Sequence, residues 1–211
     1  MDQYFDAQAA RWDTPARIRR AARIAQELRR RLPRPHYRVA VELGSGTGLV
    51  GFAMAGLADQ LILTDPAPAM VEILRRKADC LPVGGPQVQV RLAPPGRLPK
   101  PERPCGLIFH SMALHHVQDV AQALQDFFLL LEPGGCLCFS DLDPVDRRFH
   151  SDHPDFTGYN GFAQPELQAA MRRAGFAAVR SATFLRDEKQ IDGTACPFSL
   201  FWMCGIKPPE H

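Results

Sequence analysis

Val39-Ala40-Val41-Glu42-Leu43-Gly44-Ser45-Gly46-Thr47-Gly48-Leu49 decides the fold. An apolar run of strand length ends in an acidic residue and a loop with glycine at every second position. A helix is expected to follow, over about Leu49 to Ala58. Glycine lets the backbone turn tightly and touch a ligand, because no Cβ stands in the way. The unpaired N–H groups of the following helix then face whatever sits above the loop. Gly46-Thr47-Gly48-Leu49-Val50-Gly51 also reads as G-x-G-x-x-G, the dinucleotide fingerprint. On this segment alone a nicotinamide or flavin site, another nucleotide-like site and an unliganded glycine turn all stay open.

Outward from the loop, strand and helix signals alternate. Strands are expected at Arg38–Leu43, Gln60–Thr64, Gln87–Leu92, Gly106–His110 and Cys136–Leu142. Helices are expected at Pro68–Ala78, Val117–Leu131 and Pro165–Ala174, the last stopped by Gly175. Phe176–Phe184 and Phe198–Ile206 read as two closing strands joined by a polar loop that allows a hairpin. This alternation implies an α/β fold: a doubly wound, mostly parallel seven-stranded sheet with helices on both faces and an antiparallel edge. Residues 1–211 read as one domain, with a helical cap over 1–37 and a core over 38–211. In such a sheet, ligands bind beyond the carboxyl ends of the strands where strand order reverses. Asp65 ends the second strand, 21 positions after Gly44, where its carboxylate would accept two ribose hydroxyls.

Composition sets the outer bounds. At 211 residues, 45% apolar and 23% charged, the chain suits a globular domain with a substantial core. No apolar run is long enough to span a bilayer. Met1-Asp2-Gln3-Tyr4-Phe5-Asp6 has neither a basic nor an apolar leader region, so the expected location is the cytoplasm, with no membrane association. The six cysteines form no C-x-x-C pair. They read as buried reduced thiols, with Cys136 and Cys138 on one face of a strand. Net charge is only +2, yet Arg17–Arg38 holds nine arginines and one acid. Ile18, Ala22, Ala25, Leu28 and Leu32 make that segment an amphipathic helix, capped by Thr14, opened by Pro15 and stopped by Pro33 and Pro35. Its arginines read as a solvated face. Docking of nucleic acid is a less favoured use, since no nucleic-acid motif accompanies them.

Four segments taken together resemble class I S-adenosylmethionine-dependent methyltransferases. Glu42, Gly44, Gly46 and Gly48 match the family's (D/E)-x-G-x-G-x-G. Leu107 to Asp119, with His110-Ser111 and His115-His116, resembles its fourth-strand motif. Leu131-Glu132-Pro133-Gly134-Gly135 resembles the loop before its fifth strand. Leu167 to Phe176 resembles its late helix and Ala-Gly-Phe turn. The resemblance covers the chain from about Arg38 onward and implies a Rossmann-like fold with S-adenosyl-L-methionine as cofactor. It places Glu42 at the cofactor's amino-acid end, Gly44, Ser45 and Gly46 in close backbone approach, and Asp65 on the ribose. Pro66 and Met70 would pack the adenine, and His110 and Ser111 would lie beside the methionine portion. Asp141-Leu142-Asp143, Phe149-His150 and Asn160-Gly161-Phe162 resemble a bacterial-type subset. This chain departs from that subset at Arg147, usually glycine, and at Tyr159, usually histidine. It also lacks the acidic residue that many relatives carry after the third strand, where Ala93-Pro94-Pro95 stands.

The expected function is methyl transfer to a small molecule. The alternatives are a macromolecular methyltransferase that docks RNA or protein on the arginine helix, and a methyltransferase-fold binding or scaffold protein without turnover. Asp141 and His150 are the catalytic candidates, with Asp141 able to orient a histidine. His115 and Asn160 are candidates for the acceptor side. Asp141, Asp143, Asp146 and His150 have the ligand types of a metal site but fit no metal-binding spacing, so no metal is expected. Asp143–Ala163 is long for a connection and rich in aromatics, and is expected to wall the acceptor pocket. Tyr4, Phe5 and Trp12 are expected to close over the cofactor.

Overall fold

Apolar side chains on both faces make Tyr37–Leu43 the central strand, β1. The computed structural model describes residues 2–153 and 155–209; Met1, Pro154, Glu210 and His211 fall outside the described residues. Six further strands follow: β2 (Ala58–Asp65), β3 (Gln87–Leu92), β4 (Cys105–Ser111), β5 (Leu131–Leu142), β6 (Ala177–Ile191) and β7 (Thr194–Ile206). They form one sheet in the order β3-β2-β1-β4-β5-β7-β6. The first five are parallel, and β7 runs antiparallel between β5 and β6. The expected seven-stranded, mostly parallel sheet with an antiparallel closing pair is therefore present. Strand order reverses between β1 and β4, which opens a crevice beyond Leu43 and Ser111.

The helices are α1 (Asp2–Gln8), α2 (Pro15–Arg31), α3 (Leu49–Met54), α4 (Pro68–Asp79), α5 (Val120–Leu130) and α6 (Gln164–Arg173). Helices α2 and α3 pack Ile24, Leu28 and Met54 on one face of the sheet, where Leu74 of α4 joins them. Helices α5 and α6 pack Leu124, Phe127, Leu167 and Met171 on the other. Thr14 caps α2 by accepting the Arg17 N–H at 3.3 Å, as its sequence suggests.

Four local expectations are corrected. Helix α5 starts at Val120 rather than Val117, because the Asp119 side chain caps it by accepting the Gln122 N–H. Leu114–His116 forms a separate 3-10 turn ahead of it. The closing strands run well past Phe184 and begin before Phe198. They meet at Asp192-Gly193, whose φ angles of 48° and 76° suit a two-residue hairpin turn. Cys138 and Cys204 are directly paired across β5 and β7 and are joined in a disulfide, so they are not reduced thiols. Cys105, Cys136 and Cys196 are buried free thiols, and Cys80 is exposed.

The arginine helix is more than a solvated face. Arg29 donates to the Ala53 carbonyl on α3, and Arg31 pairs with Glu27 while its guanidinium lies 4.3 Å over the Trp202 ring. Just beyond α2, Arg34 bonds Glu132 at 2.7 Å and the Gly134 carbonyl at 3.0 Å. These contacts tie α2 and its exit to α3, β5 and β7. Arg30→Gln is expected to leave stability within about 0.5 kcal/mol. Arg31→Gln is expected to cost about 1 kcal/mol through loss of its cation–π contact. Urea denaturation of the two variants distinguishes them, and an equal effect would show that the Trp202 contact contributes nothing.

Candidate active site

The carboxyl ends of β1, β2 and β4 open into a cavity of about 690 Å³. Glu42, Gly44, Ser45, Gly46, Asp65, Pro66, Met70 and Ser111 all line it. Gly44 is required here twice over. Its φ is +63°, and a Cβ would sit 2.7 Å from the Ala113 Cβ across the strand-order switch. Met112 next to it also has a positive φ, 52°, and is held there by its N–H bond to the Ser140 carbonyl at 2.8 Å. Such backbone strain in a bulky residue concentrates at ligand sites.

Asp65 accepts the Gly46 N–H at 2.7 Å and the Ala67 N–H at 2.9 Å. It thereby clamps the glycine loop to the end of β2 while facing the cavity. Glu42 lies beneath the loop, against Gly51, where any side chain would collide with its carboxylate. Burial pushes the Glu42 carboxyl up to about 8, and Asp65 nearby adds to that. Its Oε2 is buried with no hydrogen-bond partner among the described residues. An unsatisfied buried acceptor in a native site calls for a ligand donor. The positive-φ loop, the orphaned Glu42 oxygen and the Asp65 carboxylate together fit a ligand with an ammonium end and a ribose. The stretch after β3 supplies Ala93, Pro94 and Pro95 to the wall and no carboxylate.

His110 does not reach the cavity, which corrects its expected place beside the ligand. Successive strand residues face opposite ways. Ser111 faces the cavity, so His110 faces the α5–α6 side, where it stacks on Phe139 at 4.3 Å and is fully buried. Burial lowers its imidazole to about 4.

Asp141 also stays outside the cavity wall, but it acts on a residue that lines it. It is fully buried and accepts from the Leu114 N–H at 3.0 Å, the Leu142 N–H at 2.8 Å and His115 Nδ1 at 2.6 Å. Burial alone would raise its carboxyl; the adjacent His115 and these donors outweigh burial and hold it below the usual range. With Nδ1 donating to Asp141, a neutral His115 keeps Nε2 as an acceptor. His115 lines the cavity, so the pair has the geometry of an oriented general base.

The Asp143–Ala163 connection divides. Phe149, His150, Asp152 and His153 line the cavity as expected of this segment. Its second half does not. Asn160 lies at a separate small cleft and receives His150 Nδ1 at 3.1 Å. Tyr159 is exposed and donates to the Gln118 carbonyl, and Phe162 is buried in the core. The three acids and one histidine with the ligand types of a metal site serve separate networks: Asp143 bonds Gln164, Thr183 and Ser199, while Asp146 holds the Arg148 N–H.

Tyr4, Phe5 and Trp12 line the cavity from the N-terminal side. Tyr4 stacks on His153 at 4.1 Å and donates to Asp152, and Lys189 binds the same Asp152 at 2.7 Å. This clasp joins α1, the β5–α6 connection and the tip of the β6–β7 hairpin over the cavity. Sequence reasoning missed His153 and Lys189. The Asp-Gly pair was the available signal for Lys189, because a two-residue turn there extends the hairpin over the site.

Comparison with known proteins settles the family. Residues 16–181 match the family model described as a methyltransferase domain. The chain belongs to the methyltransferase domain family. A curated relative, the malonyl-[acyl-carrier protein] O-methyltransferase of Halorhodospira halophila, is 32% identical over 147 residues, covering 66% of this chain and 47% of its own length. The chain thus spans about half the length of that relative. Among solved structures, the complex of the Haloferax volcanii Trm112 methyltransferase activator with a methyltransferase matches with a TM-score of 0.71 at 18% identity, over 100% of this chain and 98% of that one. A S-adenosylmethionine-dependent methyltransferase of Thermotoga maritima matches at 0.68 and 20% identity, over 98% and 99%. At such identities these likenesses speak to the fold, which is that of class I methyltransferases.

Proposed function

We propose that the chain transfers the methyl group of S-adenosylmethionine to a small molecule whose acceptor atom carries a proton, with His115 as general base. The observation that supports this reading best is the His115–Asp141 pair, which lines the same cavity as the glycine loop. The cofactor would supply an activated methyl group on a positively charged sulfur. Glu42 would hold its ammonium end, Ser45 and Gly46 would approach it with backbone, Asp65 would hold the ribose, and Pro66 and Met70 would pack the adenine. Ala93 and Pro94 would leave the adenine edge without a carboxylate partner, at a cost near one hydrogen bond, about 0.5–1.5 kcal/mol.

On the acceptor side, His115 Nε2 takes the proton and Asp141 stabilises the imidazolium that results. The Tyr4–Asp152–Lys189 clasp keeps bulk water from the reacting atoms. The relative's name makes oxygen one acceptor atom to test. Docking of a macromolecule on α2 is the less favoured reading, since Arg29 and Arg31 are engaged in internal contacts, although Arg19, Arg23 and Arg30 remain exposed.

Asp65→Ala tests the cofactor assignment. S-adenosylhomocysteine affinity is expected to fall by about 1.5–3 kcal/mol, the value of charge-assisted hydrogen bonds. Calorimetry measures it, with circular dichroism confirming that the variant is folded. Unchanged affinity would remove Asp65 from the site. Binding of S-adenosylmethionine without turnover of any acceptor would favour a scaffold role instead.

A further inference from the structure

Past Asp65, the cavity wall is built from the exits of β2 and β3 and the first turn of α4. Strand register sets this. Asp65 lies beside Leu92, so Ala93, Pro94 and Pro95 continue the wall where β3 ends. Among the described residues, these elements bring Pro66, Met70, Ala93, Pro94 and Pro95 to the cavity beyond the Asp65 carboxylate, and each of these side chains is apolar.

The backbone adds no donor from Ala93 to Pro95. The Ala93 N–H donates to the Asp65 carbonyl at 3.1 Å. Pro94 and Pro95 carry no N–H. The Pro94 carbonyl accepts the Arg97 N–H at 3.1 Å, which closes a turn with Pro95 second and Gly96 third. Gly96 has a φ of +73°, as a type II turn requires, and a Cβ there would meet Val117 Cγ1 at 2.6 Å. The turn is thus preset by proline and packed tightly on Val117, so its backbone is held in this conformation. Pro94 and Pro95 are both exposed, so water reaches this edge of the cavity.

A purine nucleoside whose ribose Asp65 holds and whose base packs on Pro66 and Met70 would present the outer edge of that base to Pro94 and Pro95. Adenine carries there an acceptor, N1, and a donor, the 6-amino group. A 6-oxopurine carries the reverse, an N1–H donor and an O6 acceptor. A site built to hydrogen-bond one pattern rejects the other strongly, because its own polar groups are left unpaired. A wall of proline and methionine carbon with water beside it leaves both patterns to the solvent.

We propose that this site reads the ribose and the amino-acid end of its cofactor but not the hydrogen-bonding edge of the purine, and so takes S-inosyl as readily as S-adenosyl nucleosides. The proposal rests on the methyltransferase reading above. Pro94 and Pro95 are then the residues that set base specificity, because they withhold the acceptor and the donor that would select adenine.

The test is calorimetric titration of the full chain with S-adenosylhomocysteine and with S-inosylhomocysteine. The two are expected to bind within about threefold of each other, below the roughly fivefold of one hydrogen bond. Pro94→Asp, at an exposed position, is expected to favour the adenosyl compound by about tenfold, because a carboxylate accepts from the 6-amino group and repels O6. A difference beyond about threefold in the wild-type chain, in either direction, overturns the inference and leaves the methyltransferase reading intact, since a group on the wall then reads the base. Equal binding of the two compounds to Pro94→Asp also overturns it, by taking the purine away from Pro94. Failure of both compounds to bind the wild-type chain removes the methyltransferase reading, and the proposal with it.

Discussion

Asp141→Ala is expected to destabilise the protein by about 3–5 kcal/mol, the range seen when one partner of a buried ionic or hydrogen-bonded pair is removed. The carboxylate is fully buried and accepts three hydrogen bonds: from Leu114, from Leu142 and from His115. Its removal strands two backbone N–H groups and one imidazole in the sheet's carboxyl edge. His115→Ala is expected to cost less, because Asp141 keeps both backbone donors. Urea denaturation of the two variants and of the double variant measures the coupling. A loss below about 1 kcal/mol for Asp141→Ala would show that water replaces the carboxylate freely, and the oriented base would lose its support. Asp141→Asn separates position from stability. It preserves size but offers an amide to Nδ1, and turnover is expected to fall by about 10²–10⁴. A shift in the pH profile of turnover would accompany it, which a merely structural role for Asp141 would not produce.

That pair shows where the sequence was legible and where it was not. The glycine loop, Asp65 and the late Ala-Gly-Phe turn are local signals, because the chemistry of each lies within a few residues. Asp141 was recognisable as a carboxylate able to orient a histidine, yet nothing local joined it to His115, 26 positions away. The join depends on β5 pairing with β4, which brings Ser140 opposite Ser111. Register of that kind is set by packing across the whole sheet. The same limit applies to Cys138 and Cys204, which meet only through the β5–β7 register. His110 went wrong for a simpler reason. Strand alternation assigns His110 and Ser111 to opposite faces, which their adjacency in one motif hides. The cavity wall on this side was half legible: the length and aromatic content of Asp143–Ala163 pointed to the cavity, but which half reaches it follows from the fold of the connection around Phe149 to His153.

Glu42 gives the second large effect, in the dependence of both stability and binding on pH. Its folded-state value of about 8 lies above the ordinary 4.5, so the folded chain retains a proton that the unfolded chain loses. Stability from this group is fully present below pH 4.5 and is lost as pH rises towards 8. His110, His116 and His150 act in the opposite sense, since burial holds each below its ordinary 6.5. They favour the unfolded chain as pH falls below 6.5, and three such groups outvote Glu42 there. The wild-type chain is thus expected to be most stable near pH 6.5 and to lose about 2 kcal/mol by pH 8, at about 1.4 kcal/mol per unit. Glu42→Gln is expected to keep the acid limb and flatten the alkaline one. Ligand binding should run the other way. If Glu42 meets the cofactor's ammonium it must be ionised in the complex, so S-adenosylhomocysteine affinity is expected to rise by about tenfold per pH unit from 6 towards 8 and then level off. The proton released is countable by calorimetry in buffers of different ionisation enthalpy. Affinity that is flat from pH 6 to 8, with no proton released, would place the ammonium elsewhere and leave the orphaned Glu42 oxygen to a neutral donor.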